Sequence, residues 1–265
     1  MMISERHDKI LALLNKRGRI SIQELQQLML VSVSTLRRDL DQLAESGEVQ
    51  RIHGGVELTK QQQTLQHEAL LSQKNEMNLS AKQVIARTAM RELHGGETIY
   101  LDAGSTTGAM IALLGNLQPA PQVVTNSVHH ASQLADLMVP VIIIGGQVKL
   151  STNATIGATA AEQLGQLAFD VSFLGADAVN TDMGIMTPDL EEATIKKLVI
   201  NRSNKVFVLA DNSKFDRVAF AKVSDLADIT LITDKSLASA PAYQAKTDII
   251  VGENHDIYSH FKSIH

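Results

Sequence analysis

From about residue 80 onward, apolar runs rich in β-branched residues alternate with helix-patterned stretches, and nothing else in the chain restricts the fold as much. The runs are TIYLD, QVVT, VIIIGG, VSFLGA, KVFVLA, ITLIT and DIIVG. Helical stretches lie near 80–93, 106–115, 127–138, 158–167 and 189–202. Strands that alternate with helices pair in parallel, because a parallel neighbour is reached only through a crossover. An α/β domain with a mostly parallel sheet is therefore expected. At 265 residues and 44% hydrophobic, the chain can fill such a core and carry a smaller domain before it. No internal repeat is visible.

The first 60 residues have a different pattern: three short helices and a β-hairpin, an α+β winged helix-turn-helix. Helix one covers about 4–15, with Ile10, Leu13 and Leu14 on one face and Gly18 as its stop. Ser21 and Glu24 have capping-box spacing at the head of SIQELQQLML. A third helix follows Ser32 and ends before Gly47, and EVQRIHGGVEL reads as two strands about Gly54 and Gly55.

The third helix carries the question of function. Val33, Leu36, Leu40 and Leu43 form its inward stripe, which leaves Ser34, Thr35, Arg37, Arg38 and Asp41 outside. A helix-turn-helix places its second helix in the major groove, N-terminal end first, where hydroxyls and arginines meet phosphates and base edges. Ser32, Ser34, Thr35, Arg37 and Arg38 are the expected contacts to double-stranded DNA, with Arg51 and His53 on the wing. Asp39 is expected to pair locally. An isolated Arg-Arg pair would more simply solvate a helix face and pair with Asp41 or Glu45. Here the whole 60-residue pattern is organised around it. The chain's net charge of −5 argues against nucleic acid, but six of its ten arginines lie in these 60 residues.

Other chemistries are disfavoured. There are no cysteines, so disulfides, thiolate zinc sites and a cysteine nucleophile are excluded. The nine histidines are scattered, and His129 and His130 point apart on a helix, so neither a metal site nor a cofactor is expected. No apolar signal core or 18-residue apolar run is visible, and a cytoplasmic protein without membrane contact is expected.

The second domain offers several polar strand ends. TIYLDAGSTTGAM brings Asp102, Gly104, Ser105, Thr106 and Thr107 to a strand-to-helix turn. It is neither a P-loop, a G-x-G-x-x-G nor a nucleophile elbow. Alone it is as well explained by a plain capped turn. Thr125, Asn126 and Ser127 end a second run, Gly145 and Gly146 a third, Asp177 a fourth, and Asp211, Ser213 and Lys214 a fifth. Ligands of open α/β sheets bind beyond the carboxyl ends of the strands. A shared ligand site is expected there, with Lys197 and Lys214 as cations for a phosphate.

The string VS..T.RRDL..L...G...R.HGG resembles the N-terminal signature of DeoR-family bacterial repressors, with TL where the family usually has TI. LDAGST, TNS, GG, LGAD, EEA..K and AD.SKF follow in the family's order, so the resemblance spans about residues 5 to 250. Residues 61–78, QQQTLQHEALLSQKNEMN, begin polar and glutamine-rich and read as a linker, in part helical, between domains at 1–60 and 79–265. The second domain is similar to ribose-5-phosphate isomerase and glucosamine-6-phosphate deaminase. It implies a repressor of sugar metabolism released by a phosphorylated sugar, acting as a homodimer or homotetramer. TPD.EEA..K leans towards fructose or tagatose phosphate. The runner-up is an isomerase with an appended DNA module. Against it, Asn180 and Lys196 stand where the isomerases' pattern places acids, so an enzyme is not expected.

Overall fold

In the computed structural model, α1 (Ile3–Arg17) is followed by β1 (Arg19–Ser21), α2 (Ile22–Met29), α3 (Val33–Glu45), β2 (Val49–Ile52) and β3 (Gly55–Leu58). The structure describes residues 3–29, 31–45, 49–52, 54–58, 71–237 and 239–252. The chain divides into two units, Met1–Gln62 and Gln63–His265.

The first unit closes α1 with Gly18 at φ 75°, whose N–H donates to Leu14 O at 2.7 Å. Ser21 Oγ accepts from Glu24 N at 3.1 Å and caps α2. The expected two-strand hairpin is a three-stranded antiparallel sheet in the order β1-β3-β2. Three residues are too few to display alternation, so β1 could not be read in advance. Gly55 permits the pairing, because a Cβ there would sit 2.6 Å from Ile20 O. Ile10 and Leu14 of α1, Leu25 of α2, and Leu36, Leu40 and Leu43 of α3 pack with Val49 and Val56. Val33, expected in the stripe, is only half-buried at the helix start.

The second unit opens with α4 (Leu71–Glu76) and α5 (Leu79–Met90), so the latter part of the stretch read as a linker is helical. Then come β4 (Thr98–Leu101), α6 (Ser105–Gly108), α7 (Ile111–Leu114), β5 (Gln122–Thr125), α8 (Val128–Asp136), β6 (Val141–Ile143), β7 (Gln147–Lys149), β8 (Ala154–Ile156) and α9 (Ala158–Gly165). The chain continues through β9 (Phe169–Gly175), β10 (Ala178–Asn180), β11 (Gly184–Thr187), α10 (Leu190–Asn201), β12 (Ser203–Leu209), β13 (Ala221–Ser224), β14 (Thr230–Thr233), α11 (Ala240–Gln244) and β15 (Ile249–Val251).

All seven apolar runs become strands of one parallel sheet, ordered β15-β14-β12-β9-β4-β5-β6. Its faces are covered separately. Ile99, Leu101, Phe173 and Phe207 pack with Ile85, Ala89, Ile111 and Leu134. Tyr100, Leu174 and Val208 pack with Leu164, Ile195 and Val199. Burial on both faces is why the inner strands read as continuous apolar runs, while the edge strands β6 and β15 are partly exposed. From β4 the chain winds outward through β5 and β6, then returns to β9 and winds the other way. The switch point therefore lies between β4 and β9. Two smaller antiparallel pieces, β7-β8 and β10-β11-β13, were not read from the sequence.

Leu40 is fully buried on α3. Leu40→Ala is expected to destabilise the first unit by about 2–5 kcal/mol. In chemical denaturation its transition should move and that of the second unit should not.

Candidate functional site

Ser32 caps α3: its Oγ accepts from Thr35 N at 3.2 Å and lies 2.9 Å from Ser34 Oγ and 2.8 Å from Thr35 Oγ1. Arg37 and Arg38 are exposed on the following turn. Arg51 of β2 reaches back to α3, donating to Arg37 O at 3.1 Å and pairing with Asp41 at 3.0 Å. It braces the helix, and Asp41 is thus paired across the unit. His53 lies outside the described residues.

Asp39, expected to pair locally, is instead clamped from α1. Arg6 Nε donates to Asp39 Oδ2 at 2.7 Å and Nη2 to Oδ1 at 2.8 Å. Asp39 is 1% exposed and takes no part in the outer face. The Arg6 guanidinium holds the Asp39 carboxyl below its ordinary value. Its contribution to stability is therefore present above the unfolded carboxylate value, about 3.9, and is lost as pH falls through the lower folded value. Asp39→Asn is expected to flatten this acid limb of the first unit's stability curve, measured by denaturation between pH 2 and pH 6. An unchanged limb would show that other carboxylates carry it.

In the second unit, the ends of β4 and β9 are tied by one carboxylate. Asp102 Oδ2 accepts from Gly175 N at 2.9 Å and pairs with Lys196 Nζ of α10, which also donates to Gly175 O at 3.0 Å. Burial alone would lower the Lys196 pKa; Asp102 and Glu192 reverse this and raise it. Around this pair lies a cavity of ≈ 100 Å³ at the switch point.

Asp102, Gly104, Ser105, Thr106, Asn126, Asp177 and Lys214 line it, as expected from sequence. Thr107, Thr125, Ser127, Gly145 and Gly146, also expected at the site, are not among its lining residues. Thr107 Oγ1 lies within reach of Asp102 O at 2.6 Å and Gly104 O at 2.7 Å, folding the AGSTT loop. Thr125 Oγ1 donates to Leu101 O at 2.6 Å. Ser127 caps α8, accepting from His130 N at 3.2 Å. Gly145 N donates to Gln163 Oε1 at 3.0 Å, and Gly146 packs against Ile156 O. Lys197 is exposed and lies outside the cavity; its neighbour Lys196 is the buried cation. The spacing Glu192, Ile195, Lys196, Val199 marks the inward face of α10 and could have identified it.

Lys74, Asn78, Lys82, Thr152 and Arg217 were not singled out from sequence, yet all line the cavity. The first three come from α4, α5 and the turn between them. Lys74 Nζ pairs with Asp177 Oδ1 at 2.8 Å. Burial alone would raise the Asp177 pKa, and Lys74 outweighs this and lowers it. Thr187 Oγ1 lies between Asp177 Oδ2 at 3.3 Å and Glu192 Oε2 at 3.4 Å. Glu192 Oε1 in turn meets Lys149 Nζ at 3.1 Å and Thr152 Oγ1 at 3.0 Å. Burial lowers the Lys82 pKa. Asn126 is 3% exposed; its Nδ2 donates to Thr155 O at 3.1 Å while its Oδ1, at the cavity, has no protein donor. The lining thus presents Lys74, Lys82, Lys196, Lys214 and Arg217 against Asp102, Asp177, Glu192 and Asp211. Among the described residues no acidic or histidine cluster could hold a metal ion, and no helix is long and apolar enough to cross a membrane.

A helix-turn-helix unit followed by a unit with a polar, charged cavity at a sheet switch point defines a class, the ligand-responsive transcriptional regulators. Residues 6–62 match the DeoR-like helix-turn-helix domain and residues 77–235 the DeoR C terminal sensor domain. The chain belongs to the DeoR family. It is 38% identical over 252 residues to the HTH-type transcriptional regulator FruR of Bacillus subtilis, covering 95% of this chain and 99% of that one. It is 28% identical to the glycerol-3-phosphate regulon repressor of Escherichia coli, over 94% and 97% of the two chains. Among solved structures, ribose 5 phosphate isomerase A from Neisseria gonorrhoeae is similar at a TM-score of 0.39 and 22% identity, over 54% of this chain and 55% of that one.

Proposed function

We propose that this regulator represses a sugar-utilisation operon by binding operator DNA through α3, and that a phosphorylated sugar in the sensor cavity releases it. The supporting observation is the cavity lining. Five cations against four carboxylates leave positive charge for a phosphate, while the carboxylates and the unpartnered Asn126 Oδ1 accept from sugar hydroxyls. Lys82 and Lys214 are the proposed phosphate-facing cations, with Ser105 and Thr106 donating beside them. Lys196 replaces Lys197 in this reading, as the cation that fixes Asp102. Thr107, Thr125, Ser127, Gly145 and Gly146 support the wall. The TPD.EEA..K string favours fructose or tagatose phosphate, and the glycerol-3-phosphate regulon repressor is named for another phosphorylated polyol. Helix-turn-helix proteins commonly read two half-sites, which favours a homodimer or homotetramer.

Release is a linkage effect. A ligand that prefers the conformation unable to bind DNA weakens DNA binding by its differential affinity, and DNA weakens the ligand equally. No turnover is proposed, because Asn180, which stands where the isomerase pattern has an acid, caps the β10–β11 turn. Its Oδ1 accepts from Asp182 N at 2.9 Å and Met183 N at 3.1 Å.

The test is fluorescence anisotropy on labelled DNA from upstream of the chain's own gene, with free and phosphorylated hexoses added. Selective binding relieved by one phosphorylated sugar is expected. Binding that no sugar relieves would refute the sensor half. Arg38→Ala is expected to cost roughly 1–3 kcal/mol and relax preference at one base pair; uniform weakening on all sequences would reduce Arg38 to a phosphate contact. Ser105→Ala with Thr106→Ala should remove relief by the sugar and leave DNA affinity unchanged.

A further inference from the structure

In the chain, α4 follows the stretch 59–70, which separates it from β3. Among the described residues, several of its attachments to the second unit lie at the cavity. Lys74 Nζ pairs with Asp177 Oδ1 at 2.8 Å, and the Lys74 carbonyl accepts from Lys82 Nζ. Asn78, at φ 54°, donates to Asp211 Oδ1 at 3.2 Å and lies 3.4 Å from Ser213 Oγ. Asp177, Lys82, Asp211 and Ser213 all line the cavity. Outside it, Leu71 N donates to Ser151 O at 2.8 Å. Leu71 is buried at 5% exposure, but Met77 and Leu79 are 58% and 56% exposed, so apolar packing contributes little beyond the first residue.

The other walls are of a different kind. They are strand ends, the turns that carry Ser105, Thr152 and Lys214, and α10, whose Ile195 and Val199 belong to the main core. The cavity encloses ≈ 100 Å³, whereas pockets for small organic ligands begin at roughly 300 Å³. A ligand must gain room from a wall that can yield, and α4 is that wall. It is also the wall whose tethers are charges that an anionic ligand competes for directly.

We propose that α4 is a ligand-operated latch. The anionic group of the ligand takes Lys74 and Lys82 from Asp177 and the Lys74 carbonyl, frees α4 from the cavity wall, and so changes the constraint on the stretch leading to the DNA-reading unit. This rests on the sugar-phosphate reading of the same cavity. Asp177 is then the anchor of the latch in the empty state, more than a receiver of sugar hydroxyls. Allosteric coupling of this kind changes affinities by about 5- to 150-fold, which one buried ion pair and its hydrogen bonds can supply.

The test is hydrogen exchange of amides 71–78 in the full chain. Wild type would be compared with Lys74→Met and Asp177→Asn without ligand, and wild type would also be measured with inorganic phosphate, fructose 1-phosphate, fructose 6-phosphate, tagatose 6-phosphate and unphosphorylated fructose. Thermal midpoints report which probes bind. Either variant alone should raise exchange across 71–78 by roughly tenfold, with amides of 98–125 unaffected, and a bound phosphorylated probe should raise the same amides in wild type. Unchanged exchange in both variants overturns the latch whatever the probes do. A probe that raises the midpoint without changing 71–78 overturns the latch and leaves the sensor reading intact. If both variants loosen α4 but no phosphorylated probe raises the midpoint, the ligand step fails together with the sugar-phosphate reading.

Discussion

A single buried ion pair, Asp102 with Lys196, organises the sensor unit. At the switch point the backbone pairing of β4 with β9 ends with Asp102 N donating to Phe173 O at 3.1 Å. The Asp102 side chain accepts from Gly175 N, and Lys196 satisfies both Asp102 and Gly175 O. A buried carboxylate of this kind is tolerable only with its cation in place. Once the pair is set, the AGSTT loop must leave β4 at a fixed angle, with Thr107 bonding back to its own turn. The cavity lies around the pair.

Pairing of the same kind sets the charges that line the cavity. Here Asp177 is held low by Lys74 and Lys196 is held high by Asp102 and Glu192. Glu192 is committed to Lys149 and Thr152. Each of these groups is thus held by a partner of opposite charge.

Much of this was legible in the sequence, and the limits have physical causes. The inner parallel strands announced themselves because burial on both faces imposes continuous apolar runs, and the short edge strands β6 and β15 because they are apolar throughout, whereas β1, β7 and β8 are three-residue strands of mixed polarity. Strand-end residues such as Asp102 and Asp177 were found because the fold class fixes where ligands bind. The lysines were harder. Lys196 and Lys197 are adjacent and chemically identical, and only the phase of α10 distinguishes them. Lys74 and Asn78 lie in a polar, glutamine-rich neighbourhood whose composition reads as linker, and their partners, Asp177 and Asp211, are over a hundred residues away. In the first unit Asp39 was expected to pair locally, but its partner Arg6 lies 33 residues upstream and no local pattern signals it.

The two units thus place charge pairs in comparable roles. Arg6 on Asp39 fixes α3 to α1 from behind, and Arg51 on Asp41 fixes it from the wing, so the outward arginines stand on a helix that is braced from both sides. A braced helix reads DNA with little entropy left to lose on binding, and it passes a displacement on as a whole instead of bending. The sensor unit has the complementary property. Its sheet and α10 belong to the main core, and the proposed latch places its compliance in α4. A stiff reader and a sensor with one compliant element is the arrangement in which a small change of charge in a cavity has a single mechanical outlet.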